Sequence, residues 1–359
     1  MKKIFSSLVL IVLIIACKKT EISAPSEQES ITTGSNKPGP PPPPVNANPA
    51  FAFSDYKKIN QQLSVLSIYV MDVTGANPTL VYTNYSGNGN NIVVNYADYP
   101  AWSPDGSKLC FTLNTKDLYT LNISLVNGVP TSSGATKIGD GVAGGGSYKQ
   151  GKWRPGANQI ACVWKKTGDP DKIHILPSAG GSPAILYTAA NTDWFIEEDI
   201  AFKSDGFNLV FSERQISTGY VFLKVLDVST SQVIKSVDLS QYKSIKEIDW
   251  AKTSGSNIVA ITTVPLCDGT AIGNSGIHQL QTIDVGIAAP ALTLLLNDEG
   301  NICWGPDDLQ IGVKAGLLSV CGGTGCCFRQ YDGKGIYTIA TNSYTLPSYS
   351  GGDHHDWKR

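Results

Sequence analysis

From Phe51 to its end the chain is built of short runs in which apolar and polar positions alternate, each closed by glycine, proline, asparagine or aspartate. Strict alternation marks a strand with one buried face, and close spacing of such runs marks antiparallel sheets. The clearest unit is Pro100–Phe111: Pro100-Ala101-Trp102 leads into Ser103-Pro104-Asp105-Gly106 and on to Lys108-Leu109-Cys110-Phe111. Pro104 presets φ at the first turn position, Asp105 can bond back to the backbone, and Gly106 supplies a positive φ. The unit is therefore a hairpin and not a catalytic motif. Weaker copies follow at Lys152-Trp153-Arg154-Pro155-Gly156, Ala201-Phe202-Lys203-Ser204-Asp205-Gly206, Asp249-Trp250-Ala251-Lys252, Cys303-Trp304-Gly305-Pro306-Asp307 and Asp356-Trp357-Lys358.

The anchor aromatics Trp102, Trp153, Phe202, Trp250, Trp304 and Trp357 return about every 50 residues, a period that holds four short strands. Third strands are expected at Leu118–Leu121, Ile173–Leu176, Phe222–Leu226, Gln281–Val285 and Ile336–Ile339. Fourth strands are expected at Lys137-Ile138, Ala184–Tyr187, Val233–Val237, Leu292–Leu295 and Tyr344–Leu346. The C-terminal strand around Asp356-Trp357 has no successor, whereas Phe51–Ser54, Ile68–Asp72 and Thr79–Tyr82 precede the first hairpin. The pattern predicts an all-β fold over residues 50–359, a six-bladed β-propeller with four antiparallel strands per blade. One C-terminal strand and three N-terminal strands would close it and remove its free sheet edges.

Ser67-Ile68-Tyr69-Val70-Met71-Asp72, followed by Tyr99-Pro100-Ala101-Trp102-Ser103-Pro104-Asp105-Gly106, resembles the repeat of TolB-type, WD-repeat-like propellers. The resemblance covers roughly Phe51 to Arg359; the first copy carries the full motif and later copies lose the proline or aspartate of the turn. It implies a propeller whose relatives serve as periplasmic docking partners of envelope lipoproteins, as attachments of peptidases or as sugar lyases, so the fold does not assign the function.

The first residues change the picture of where the chain works. Lys2-Lys3, the apolar run Ile4–Ile15 and Ala16-Cys17 form a targeting segment too short to remain as a membrane span. Ile14-Ile15-Ala16-Cys17 resembles the bacterial lipobox, which implies removal of residues 1–16 and acylation of Cys17, with membrane attachment through the acyl chains. Each buried methylene of such chains contributes roughly 0.8 kcal/mol. An ordinary secretory signal is the alternative, and either reading exports the protein. Lys18-Lys19 resembles lipoproteins of Bacteroidota-type bacteria; the outer membrane is expected, its facing left open. Residues 17–49, with the run Pro40–Pro44, read as a disordered tether stiffened by polyproline. A formal charge of −2 leaves no basic footprint for nucleic acid.

Aligning the residue three before each anchor gives Tyr99, Gln150, Asp199, Glu247, Asn301 and His354. In a propeller these positions ring one mouth of the central channel, either holding a peptide terminus, a sugar or an ion, or forming a hydrated funnel. Trp194-Phe195-Ile196-Glu197-Glu198 enters the same face as a contact surface or as a cap on the core. Asp353-His354-His355-Asp356 suggests a metal, but strand neighbours point to opposite sides, so no metal is expected there. There is no Gly-x-Ser-x-Gly elbow and no cofactor motif, and no catalytic residue or cofactor is assigned.

Of the eight cysteines, Cys110, Cys162 and Cys303 sit in strand patterns as small buried hydrophobes. Cys267, in the insertion Val264–Gly276, and Cys321, Cys326 and Cys327, in the insertion Gly316–Lys334, are candidates for disulfides in an oxidising compartment, with zinc binding as the alternative. The reading that results is a lipid-anchored envelope propeller, a non-catalytic module binding a protein or peptide at one channel mouth. The alternative is a glycan-binding or saccharide-processing propeller in which Asp199 and Glu247 act as acid and base.

Overall fold

Alternation of buried and exposed side chains is carried into strands throughout the computed structural model, which describes residues 49–72, 78–87, 92–265, 278–297, 299–304, 308, 310–317, 330–339, 343–345 and 353–357. The targeting segment, Cys17 and nearly all of the tether lie outside the described residues, as do Cys267, Cys321, Cys326 and Cys327. Three strands come first, β1 (Phe51–Lys58), β2 (Ser64–Met71) and β3 (Thr79–Tyr82), followed by a short hairpin of β4 (Asn84–Ser86) and β5 (Val93–Asn95). A four-strand unit then repeats. Its first copy is β6 (Ala97–Trp102), β7 (Lys108–Leu113), β8 (Asp117–Val126) and β9 (Val129–Gly139). Its second is β10 (Ser147–Trp153), β11 (Gln159–Lys165), β12 (Lys172–Pro177) and β13 (Ala184–Thr188), and its third is β14 (Trp194–Phe202), β15 (Asn208–Gln215), β16 (Val221–Asp227) and β17 (Gln232–Asp238). The fourth is β18 (Tyr242–Trp250), β19 (Ile258–Pro265), β20 (Gln279–Asp284) and β21 (Leu292–Asn297), and the fifth is β22 (Glu299–Trp304), β23 (Gln310–Leu317), β24 (Gln330–Thr338) and β25 (Ser343–Thr345). The last strand, β26 (Asp353–Trp357), runs antiparallel to β1, so the order β26-β1-β2-β3 makes a sixth four-stranded sheet among the described residues. No helix occurs among them.

Each first strand touches the first strand of the next sheet: β6 meets β10, β10 meets β14, β14 meets β18, β18 meets β22, β22 meets β26, and β26 meets β6. The core lies between successive sheets. Ala101, Cys110 and Leu118 of one pack on Trp153, Ile160 and Trp164 of the next, and Ile68 and Val70 pack on Trp102 and Phe111. The anchors Trp102, Trp153, Phe202 and Trp250 are all buried; burying a large side chain of this kind contributes about 2–3 kcal/mol. Trp153 also donates its indole N–H to the carbonyl of Ala101 in the preceding sheet at 3.1 Å. Cys110 and Cys162 are buried within this packing, and neither forms a disulfide among the described residues.

Two features depart from the sequence expectation. Beyond Leu118–Leu121 and Lys137-Ile138, β8 and β9 continue to Val126 and Val129. Asn127 and Gly128, at φ 52° and 79°, turn them in two residues, the conformation that an Asn-Gly pair favours because its twist suits the hairpin. The predicted insertions also shrink, since β19 includes Val264 and Pro265, β23 runs to Leu317 and β24 starts at Gln330.

A candidate ligand pocket at the bulged ends of the first strands

Every first strand breaks register against its neighbour, and in all but β18 the break takes in the position singled out by alignment. Asp98 pairs with Thr112 and Ala101 with Cys110, which sets Tyr99 and Pro100 against one residue. Tyr148 and Gly151 bracket Gln150, Ile196 and Ile200 bracket Asp199, and Gly300 and Cys303 bracket Asn301. In β26, His355 pairs with Phe53 and Asp353 with Ser54, leaving His354 between. In β18 the extra residue is Lys246, directly before Glu247. A bulge twists the strand and re-aims its side chains. At Tyr99 it holds a non-glycine residue at φ 55°, a conformation that costs roughly 1 kcal/mol or more and persists only where the surroundings impose it.

Three of the aligned residues meet in one cavity. Tyr99, Gln150 and Glu247 line a pocket of about 370 Å³ together with Phe195, Glu197, Glu198, Arg214 and Lys246. Its charges are arranged in internal pairs. Buried Glu197 takes Arg214 Nε at 3.4 Å and Lys246 Nζ at 3.5 Å, and Glu198 takes Lys149 Nζ at 3.4 Å. The Tyr99 hydroxyl is held far above its ordinary pKa by burial first, then by Asp98, Glu198, Glu247 and Asp199, so it stays a protonated donor.

Asp199 stands elsewhere than expected. It is buried and does not line this pocket; one carboxylate oxygen accepts the N–H of Ile200 at 2.9 Å and the other the N–H of Ile248 at 2.7 Å, with Lys152 Nζ at 3.5 Å. Burial, more than the nearby Asp249, raises its pKa against the lowering by Lys152 and the two amides. Three acidic residues, Glu197 to Asp199, oppose the single Ser212 across the bulge, which turns Asp199 inward to tie β14 to β18. An acid–base pair of Asp199 with Glu247 across a substrate bond is therefore not what this face presents. Asp98 plays a related part, accepting from the Ser54 hydroxyl at 2.6 Å and from the N–H of Tyr99 at 2.8 Å.

Trp194 and Phe195 divide the two roles open to their loop. Trp194 packs against the buried cluster of the second and third sheets and lies 5.9 Å from Phe222, while Phe195 lines the pocket. The Phe195 ring carries Lys165 Nζ at 3.0 Å from its centroid and the Arg214 guanidinium at 5.5 Å. Lys165 also donates to the carbonyl of Ile196 and pairs with Asp171, and burial lowers its pKa. Arg214 and Lys246 were not singled out by the repeat, because both sit beside a repeat position and not on one. The side chains of Asn301 and His354 lie outside the described residues, and the alternation argument for Asp353-His354-His355-Asp356 does not carry across the bulge at His354. No cluster of three metal-ligating side chains occurs among the described residues.

No family model and no curated protein sequence matches the chain. Solved structures share its architecture. The putative TolB from Agrobacterium tumefaciens superposes with a TM-score of 0.54 at 11% identity, over 85% of this chain and 91% of that one. TolB from Acinetobacter baumannii gives 0.54 at 14% identity, over 87% and 67%, and Kuenenia stuttgartiensis hydrazine synthase gives 0.50 at 11%, over 80% and 90%. At such identities the likeness concerns the fold, not the activity. Repeated four-stranded antiparallel sheets packed face to face, with these neighbours, make the chain a β-propeller.

Proposed function

We propose that the chain is a six-bladed propeller of the cell envelope, anchored by lipid at Cys17, which binds a protein or peptide without catalysis in the pocket at the bulged ends of its first strands. The observation that carries the reading is the convergence of Tyr99, Gln150 and Glu247, from three different sheets, with Phe195 and paired charges on one 370 Å³ cavity. An aromatic surface edged by hydrogen-bonding and charged groups is the composition of a recognition site. Closure of the ring is supported by the contact series that returns from β26 to β6 and by the pairing of β26 with β1. Export and anchoring rest on Lys2-Lys3, the apolar run and Ile14-Ile15-Ala16-Cys17, and the outer membrane is the membrane proposed.

The test places a photo-crosslinking phenylalanine analogue at Phe195, or at the exposed Phe207 in the turn at the other end of β14, in cells. A discrete protein adduct from position 195, absent from position 207 and lost when Arg214→Glu and Lys246→Glu are added, is expected. Identical adducts from both positions, or adducts indifferent to the charge reversals, would refute the pocket as the binding site. Cys17→Ser is expected to abolish incorporation of a clickable palmitate.

A further inference from the structure

At the other end of the first strands, the hairpin turns repeat one arrangement across successive sheets. The residue after each anchor is fixed by one backbone bond: Ser103 N–H to Lys108 O, Arg154 N–H to Gln159 O, Lys203 N–H to Asn208 O, and Ala251 N–H to Ile258 O. These four positions are therefore equivalent. Two of them send a cation across to the next sheet. Arg154 Nε donates to the carbonyl of Gly206 at 2.9 Å. Lys203 Nζ donates to Asn257 Oδ1 at 3.0 Å, lies 3.6 Å from Asp205 of its own turn, and stands 6.0 Å from the ring centroid of Trp250.

Residues of the same kinds stand between the β6 and β10 sheets, although the Trp153 indole N–H bonds Ala101 of the preceding sheet whereas that of Trp250 bonds Ser256 of its own turn. By the register above, Asp105 corresponds to Asp205, Asn158 to Asn257, Trp153 to Trp250, and the carbonyl of Ala157 to that of Gly206. All four residues line a cleft of about 230 Å³ with Ser103, Pro104, Gly156 and Lys108. The residue that should fill it is Ser103, whose hydroxyl turns back to Asp105 at 2.6 Å. Asp105 and Asn158 are exposed, so the cleft is reached from solvent. Lys108, at its edge, forms no ion pair among the described residues.

We propose that this cleft is a binding site for an ammonium group, delivered as a lysine side chain by a partner protein. The incoming ammonium takes the place that Lys203 occupies two turns further on: a carboxylate from Asp105, an amide oxygen from Asn158, and the face of Trp153, an arrangement suited to a partly desolvated cation. The site is separate from the pocket beside Phe195 and does not rest on the reading given to that pocket.

The test uses the full chain in detergent with 5-fluorotryptophan, following the Trp153 resonance, assigned by Trp153→Phe, as Nα-acetyl-lysine-N-methylamide is added. Its Nε-acetylated counterpart and n-butylammonium are the comparison probes. A saturable shift is expected, at least tenfold weaker with the Nε-acetylated probe, and at least tenfold weaker again in Ser103→Lys, which fills the cleft from within. Asp105→Asn is expected to weaken it too, and Lys108→Met to leave it unchanged or tighter. An equal response to the Nε-acetylated probe, or undiminished binding in Ser103→Lys and Asp105→Asn, overturns the site. Tighter binding of n-butylammonium than of the lysine probe overturns the assignment to a partner's side chain in favour of a free amine.

Discussion

His174 offers a sharp test of the packing on one face of the β10-β11-β12-β13 sheet. Its ring stacks on Trp164 at 5.5 Å and 12° and meets Tyr148 at 5.9 Å, and neither ring nitrogen finds a hydrogen-bond partner among the described residues. Burial first, and Lys172 second, push its pKa from 6.5 down to about 4. The sign follows from proton binding: below pH 6.5 the unfolded chain takes up a proton that the folded chain refuses until about pH 4, so stability falls as pH drops through this window and the loss levels off below it. One pKa unit is worth about 1.4 kcal/mol, so the loss between pH 7.5 and pH 5 is about 2 kcal/mol, growing to about 3 kcal/mol near pH 4. His174→Phe keeps the stacked ring and removes the proton site. It is expected to raise stability at pH 7.5 by about 1 kcal/mol, by relieving two unsatisfied buried nitrogens, and at pH 5 by about 3 kcal/mol, since both effects then add. Urea denaturation followed by tryptophan fluorescence at pH 7.5, 6.5, 5.5 and 5 reads this directly, and carboxylate titrations common to both proteins cancel in the difference. Parallel pH profiles for the two proteins would refute the reasoning.

Gly206 and Gly156 occupy equivalent turn regions at φ 73° and 70°, but a Cβ at Gly206 would lie 2.3 Å from the Pro155 carbonyl oxygen, whereas one at Gly156 would meet nothing within 4 Å. Thermal melts should therefore show Gly206→Ala losing about 2 kcal/mol more than Gly156→Ala, which carries only the backbone cost of about 1 kcal/mol; equal losses would contradict the close approach of the two turns. Removal of residues 353–359 strips β1 of its β26 partner. The truncated protein is expected to lose cooperative unfolding and to aggregate through the exposed β1 edge, and an unchanged melting temperature with a monomeric elution profile would show that the sheet does not depend on β26.

The fold was legible because its information is periodic and local. Trp102, Trp153, Phe202 and Trp250 mark the ends of first strands by size and by the turn residues that follow, and each is found buried between sheets. Pairing of the two chain ends was legible for the same reason, as a count of strands left without neighbours. The extended β8–β9 hairpin was not, because its tip alternates weakly: Val126 and Val129 are exposed, and Thr131, Ser132 and Ser133 give no apolar face. Only the Asn127-Gly128 pair announced it.

Alignment marked Tyr99, Gln150 and Glu247, which line one pocket, but not the direction of each aligned side chain, and the bulges explain why. Side-chain direction along a strand is read from parity, and one extra residue reverses parity beyond the point where it is inserted. Sequence carries no mark of that residue. At β6 the bulge coincides with a strained Tyr99 that remains in the pocket; at β14 two extra residues leave Glu197 and Glu198 lining the pocket and Asp199 buried on the amides of Ile200 and Ile248. The same displacement that withdraws Asp199 from the surface makes it a tie between neighbouring sheets. A position can therefore recur at a fixed distance from its anchor in every repeat while its side chain lines a pocket in one sheet and ties two sheets together in another. Substituting Asp199 probes the union of β14 with β18, and substituting Glu247, Phe195 or Lys246 probes the pocket.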